Sequence, residues 1–140
     1  MVSQLLVGWF LMAVSVVVHA VGVASALRWL RKRRLASERL WTWTWLFVQL
    51  AGWIILLHVV EITAWAIAYA VMRAMPGLQS ALYFSAVTYT TTGYGDLVLP
   101  QRWRLVGAVE ALTGILLYGW STGLFFAVVS RMTADENPRP

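Results

Sequence analysis

The chain reads as long apolar runs separated by short polar breaks. The first run, Leu5 to Leu27, is interrupted among polar types only by Ser15, His19 and Ser25. As a helix it is about 34 Å long, enough to cross a hydrocarbon layer of about 30 Å. The second run, Leu46 to Met72, follows the alternating Trp41-Thr42-Trp43-Thr44-Trp45 segment. Alternation alone suggests a strand, but the combined length and apolarity predict a helix whose first turns carry interfacial tryptophans. Arg73 and the Met75-Pro76-Gly77 break end it. Leu78 to Thr90 is apolar but too short to span, which predicts a helix that enters the layer and turns back. Pro100, Arg102, Trp103 and Arg104 return to the surface, and a third long run extends from about Leu105 to Ser130. The expected architecture is all-α: three transmembrane helices plus one re-entrant helix with its loop. In segments, 1–40 is an N-terminal helix with a basic loop. The unit 41–132 holds an outer helix 41–74, a short helix 78–90, a loop 91–96 and an inner helix 104–130. Residues 133–140 form a short tail, and the polar, proline-containing residues from Arg131 onward predict disorder.

Composition places these runs in a bilayer. The chain of 140 residues is 60% hydrophobic and 12% charged, roughly half the usual charged fraction of about 25%. So few charges cannot cover a soluble core of this kind. Nine tryptophans and five tyrosines agree, because amphipathic rings concentrate at membrane–water interfaces. The formal charge of +5 does not indicate nucleic acid. Six of the eleven basic residues, Arg28, Arg31, Lys32, Arg33, Arg34 and Arg39, fall in one short stretch that suits a cytoplasmic loop. Arg28, Arg31 and Arg34 repeat at every third position, but they lie beyond the apolar run, where snorkelling explains them better than voltage sensing.

Charge also sets the expected orientation. The loop after the first helix and the tail, with Arg131 and Arg139, hold eight basic residues; the other side holds Arg73, Arg102 and Arg104. The excess predicts an outside N-terminus and a cytoplasmic C-terminus. Met1 to Gln4 lack the positive charge of a signal peptide, so the first helix is expected to be retained. The absence of cysteine excludes disulfides, thiol catalysis and thiolate metal ligands. No metal-ligand cluster, nucleophile–base pair or phosphate-cradling loop points to an enzyme.

Three groups of residues carry candidate chemistry. Ionisable groups inside a span are costly and read first as functional. His58 and Glu61 share one face of the second helix and are candidates for a gate or a polar clamp. His19 stands alone on the first helix and is read as a helix-contact residue and not as a ligand. In the third helix, Glu110 suits either a cation-attracting ring near a vestibule or a bond between helices. Gly119 and Gly123 have the spacing that lets membrane helices approach closely. The most specific stretch is Thr90-Thr91-Thr92-Gly93-Tyr94-Gly95-Asp96. Its glycines reach backbone angles closed to other residues, so that consecutive carbonyls can face one way and replace the water shell of a potassium ion.

From Tyr83 to Asp96, and again through Glu110-Ala111-Leu112-Thr113-Gly114 and Gly123-Leu124-Phe125-Phe126-Ala127, the chain resembles the potassium-channel pore family. The resemblance covers about Trp41 to Met132 and leaves the first helix outside the common pore unit. It implies a pore helix 78–90, a selectivity filter 91–96, and a homotetramer in which each chain gives one filter strand. The carbonyls of Thr91, Thr92, Gly93 and Tyr94, with the Thr91 hydroxyl, would coordinate potassium as the transported ion, with no cofactor. Gly95 would support the filter, Asp96 would draw cations to the outer mouth, and Gly114 would mark where an inner helix bends. Thr92 stands where the family usually has valine or isoleucine. Val87 and Phe84 stand where some members have the glutamate and tryptophan that brace the aspartate. The expected function is therefore a potassium-selective channel in a bacterial-type inner membrane. The alternatives are a weakly selective cation channel or a non-conducting membrane subunit acting through helix packing.

Overall fold

The computed structural model describes residues 2–32 and 40–136. Three long helices and one short one follow in chain order: α1 (Val2–Lys32), α2 (Leu40–Val71), α3 (Leu78–Tyr89) and α4 (Arg104–Glu136). A single 3-10 turn, Gln101–Trp103, leads into α4, and no strand occurs among the described residues. α1, α2 and the span Gln101–Ser130 are each long and apolar enough to cross a membrane. Most of each apolar stretch faces outward, and Phe10, Ile55, Leu112 and Phe126 are exposed. A water-soluble helix presents a polar face to solvent; these helices do not. The molecule is an all-α, multi-pass membrane protein.

Helix ends shift by a few residues from the pattern-based reading. α1 continues past Leu27 to Lys32, which places Arg28, Arg31 and Lys32 on its last turns. α2 closes at Val71, with Arg73 in the left-handed region (φ 52°) and the Ala74 N–H donating to the Tyr69 carbonyl at 2.9 Å. That arrangement satisfies helix-end carbonyls. α4 runs six residues past Ser130 to Glu136, so the disorder expected from Arg131 does not begin there. Arg33, Arg34, Arg39 and Arg139, part of the charge-based orientation, lie outside the described residues.

α1 packs against both α2 and α4, and α3 is wedged between α2 and α4. Gly22 lets α1 come close to α2: the Leu57 side chain fills the space of a Cβ, and Trp53 Nε1 donates to the Gly22 carbonyl at 3.1 Å. Gly8 plays the same part against Val109 of α4. One apolar core joins Trp65, Tyr69, Ala81, Tyr89, Leu99 and Val106, around α3. Another, toward the opposite end, joins Val23, Leu30, Leu46, Leu50, Leu124 and Val128. Polar side chains are concentrated between these two cores and behind α3.

Candidate functional site

The loop after α3 starts by folding back on its own helix. Thr90 N–H donates to Ala86 O, Thr91 N–H to Thr88 O, and both Thr92 and Gly93 N–H groups to Val87 O. Every second residue is then left-handed: Thr91 at φ 60°, Gly93 at 56° and Gly95 at 78°. In an extended strand successive peptide units alternate sides. Inverting the hand at alternate residues turns successive carbonyls toward one side. Nothing lies within 4 Å of a Cβ built on Gly93 or Gly95, so these glycines answer to backbone angle, not space. Thr91 adopts the same angle with a β-branched side chain, an uncommon and costly conformation that marks functional backbone. The Thr90 hydroxyl donates to Ala86 O at 2.7 Å and lies 2.9 Å from the Thr92 hydroxyl. Thr90 to Asp96 are all exposed, Tyr94 to 72%.

Asp96 has a partner that sequence reasoning missed. The Tyr83 hydroxyl, 13 positions earlier in the chain, donates to Asp96 Oδ2 at 2.7 Å. That hydrogen bond is the main reason the Tyr83 hydroxyl sits above the ordinary tyrosine pKa. Val87 and Phe84 therefore leave the aspartate neither bare nor braced by the family's usual residues. They line a cavity of about 200 Å³ between α3 and the loop, together with Gly93, Gly95 and Leu97.

Behind α3, Glu110 is fully buried. It accepts from the Tyr69 hydroxyl at 2.7 Å and from Ser85, whose oxygen is also 2.8 Å from the Ile62 carbonyl. It thus links α2, α3 and α4 and faces no vestibule, which corrects the ring reading in favour of the interhelical bond. Gly114 is the point of closest approach between α4 and α3: an added Cβ would run into the Tyr89 carbonyl oxygen. Gly119 and Gly123 have open space around them within the chain. Close packing among the described residues therefore belongs to Gly114, Gly107, Gly22 and Gly8, not to the Gly119–Gly123 pair.

His58 and Glu61 lie at the centre of a buried polar ring, and His19 is not alone but part of it. His19 Nδ1 is 2.9 Å from Glu61 Oε1, and His58 Nδ1 is 3.1 Å from Oε2. The Tyr89 hydroxyl donates to Oε2 as well. On the far side, Ser121 Oγ is 3.2 Å from Nε2 of both histidines. The ring draws on α1, α2, α3 and α4, and buried charge-bearing groups require such partners. Only the burial of a lone histidine in an apolar run hinted that His19 needed one; its partner is 42 positions away.

A family model described as an ion channel matches residues 43–131. The match covers most of the chain and coincides with α2, α3, the loop and all but the end of α4. The chain belongs to that ion channel family, consistent with its resemblance to potassium-channel pore domains. No curated protein and no solved structure matches.

Proposed function

Starting from membership of the ion channel family, we propose that the chain is a potassium-selective channel, active as a homotetramer in the cell membrane. The observation that carries this reading is the alternating left-handed backbone at Thr91, Gly93 and Gly95 within the run Thr90 to Asp96. Alternation of this kind turns a row of carbonyls to one side. A carbonyl row is what a dehydrated potassium ion needs in place of its water shell. Thr91, Thr92, Gly93 and Tyr94 provide the coordinating oxygens, Gly95 permits the last turn of the backbone, and Asp96 draws cations to the mouth. α3 is the re-entrant pore helix, with the filter on the outer side of the membrane and the C-terminus in the cytoplasm. Filter residues exposed in a single chain are covered by neighbouring copies around the axis, because one strand cannot enclose an ion. Potassium is substrate here, not cofactor.

The purified protein reconstituted in liposomes tests the proposal. A potassium gradient should drive flux that a sodium gradient does not. No flux, with a monomer or dimer in detergent, would favour the non-conducting subunit instead.

A second reading, a weakly selective cation channel, is favoured by two features. A threonine hydroxyl stands at Thr92, bonded to Thr90, and a cavity backs the loop. Both bear on how firmly the carbonyl row is held. Reversal potentials in mixed potassium and sodium separate the two: a value tracking potassium alone supports the first reading, and one insensitive to exchange of the two ions supports the second.

A further inference from the structure

We infer that His19, His58 and Glu61 form a binding site for a divalent transition-metal cation of the zinc type, with Tyr89 beside it and Ser121 as its outer support. Two imidazoles and a carboxylate from α1 and α2 offer ligand atoms that all lie within 4.8 Å of one another, and all three residues are buried. Two histidines and a glutamate are a recurring zinc donor set. Mixed nitrogen and oxygen donors select this class over calcium or magnesium, which prefer oxygen throughout. In a tetrahedral site with bonds of about 2.0–2.1 Å, ligand atoms are roughly 3.3 Å apart. The His19 Nδ1–Glu61 Oε1 and His58 Nδ1–Glu61 Oε2 separations of 2.9 and 3.1 Å are slightly shorter than that, and the wider spacings, within 4.8 Å, close as the side chains turn toward the ion. The Tyr89 oxygen, 3.2 Å from His58 Nδ1, stands where a fourth ligand belongs.

A metal site and a metal-free clamp place the ring's protons differently. Both Nδ1 atoms face the carboxylate, so in a metal-free ring both carry hydrogen, and neutral imidazoles then have bare Nε2 atoms. Both Nε2 atoms face the same Ser121 oxygen at 3.2 Å. That hydroxyl has one proton and can serve only one of them. The ring is complete only with one additional proton on a ring nitrogen. A cation in place of the Nδ1 protons resolves the shortage differently. Each histidine then carries its proton on Nε2, and the two lone pairs of Ser121 accept both. This is the outer-shell arrangement that orients metal-bound imidazoles. On binding, the metal takes the place of both Nδ1 protons, two protons end on the Nε2 atoms, and any third passes to water.

The site does not depend on whether the chain conducts, and its test does not read flux. The chain has two histidines, both in this ring, and no cysteine. In full-length protein made without a histidine tag, imidazole-bound metal can therefore reside only here. Chelator-stripped protein in detergent is equilibrated with zinc and its metal content measured, and cobalt(II) is used as the spectroscopic probe. One metal per chain is expected, with a tetrahedral cobalt spectrum showing nitrogen ligation. Glu61→Gln and His58→Gln should weaken binding more than tenfold, and Ser121→Ala about 10–100-fold, as loss of outer-shell support does. The unmutated chain decides the matter even if the ligand variants fail to fold. No stoichiometric zinc, or cobalt with the spectrum of the hydrated ion, would overturn the inference. So would affinity unchanged in Ser121→Ala.

Discussion

At the scale of single residues, backbone geometry and one aromatic hydroxyl explain the most. Gly114 is required because α4 rests on the Tyr89 carbonyl, which is main chain and cannot rotate away. Gly114→Ala should destabilise the protein by about 1–3 kcal/mol through overpacking; Gly119→Ala, in open space within the chain, should not. Thermal unfolding of the two variants in the same detergent checks the contrast, and equal midpoints would refute it. Tyr83 invites a different experiment. Its hydroxyl donates to Asp96, and that bond raises the tyrosine above its ordinary value of 10.0. A raised pKa means the interaction is fully present below the ordinary value and is lost as pH rises through the shifted one. Tyr83→Phe removes the same donor at neutral pH. In the proposed channel it should lower potassium-over-sodium selectivity at pH 7, while the unmodified chain holds its selectivity through pH 9. Reversal potentials at the two pH values measure both effects.

At the scale of elements, α3 is the part that must be held in place. It has too few residues to span, and the loop it carries has few contacts of its own. Two buried carboxylates fasten it: Glu110 through Ser85, and Glu61 through Tyr89. Glu110→Ala strands the Tyr69 hydroxyl and opens a cavity, while Ser85 keeps the Ile62 carbonyl as an acceptor. Loss of a buried partner of this kind costs about 1–3 kcal/mol for each stranded group. The variant should melt earlier and show faster amide exchange in α3 than in α1; uniform exchange would mean that Glu110 does not act on α3. The helices themselves were legible in the sequence, because unbroken apolar runs of spanning length have few other solutions in a bilayer. The loop was legible because glycine spacing reports backbone angle. The partners were not. Apolar periodicity says which residues face inward, but not that His19 meets Glu61, that Tyr83 meets Asp96, or that Glu110 turns to α3 instead of a vestibule. Those pairings depend on how the helices rotate against one another, and nearly all-apolar helices with so little amphipathic bias leave that rotation undetermined.

At the scale of the whole molecule, α1 lies wholly outside the segment matched to the ion channel family, yet it is joined to that segment by polar bonds. Ser15 accepts from Trp65 Nε1 at 3.1 Å, and His19 supplies one of the partners of Glu61. Removing a partner of a buried carboxylate is far more damaging than replacing the carboxylate as well, because its charge stays desolvated. A chain lacking residues 1–39 should therefore be less stable than the full chain by an amount that the loss of apolar contact alone does not explain. The second half of the test lies in Glu61. Glu61→Leu should destabilise the full chain, where His19 is in place, and should return part of the lost stability to the shortened one, where only His58 and Tyr89 still face the carboxylate. Unfolding midpoints of the four proteins give the coupling between α1 and Glu61 directly. Independent, additive effects would make α1 a lipid-facing brace. A sign reversal for Glu61→Leu between the two backgrounds would make it part of the polar ring that holds α3.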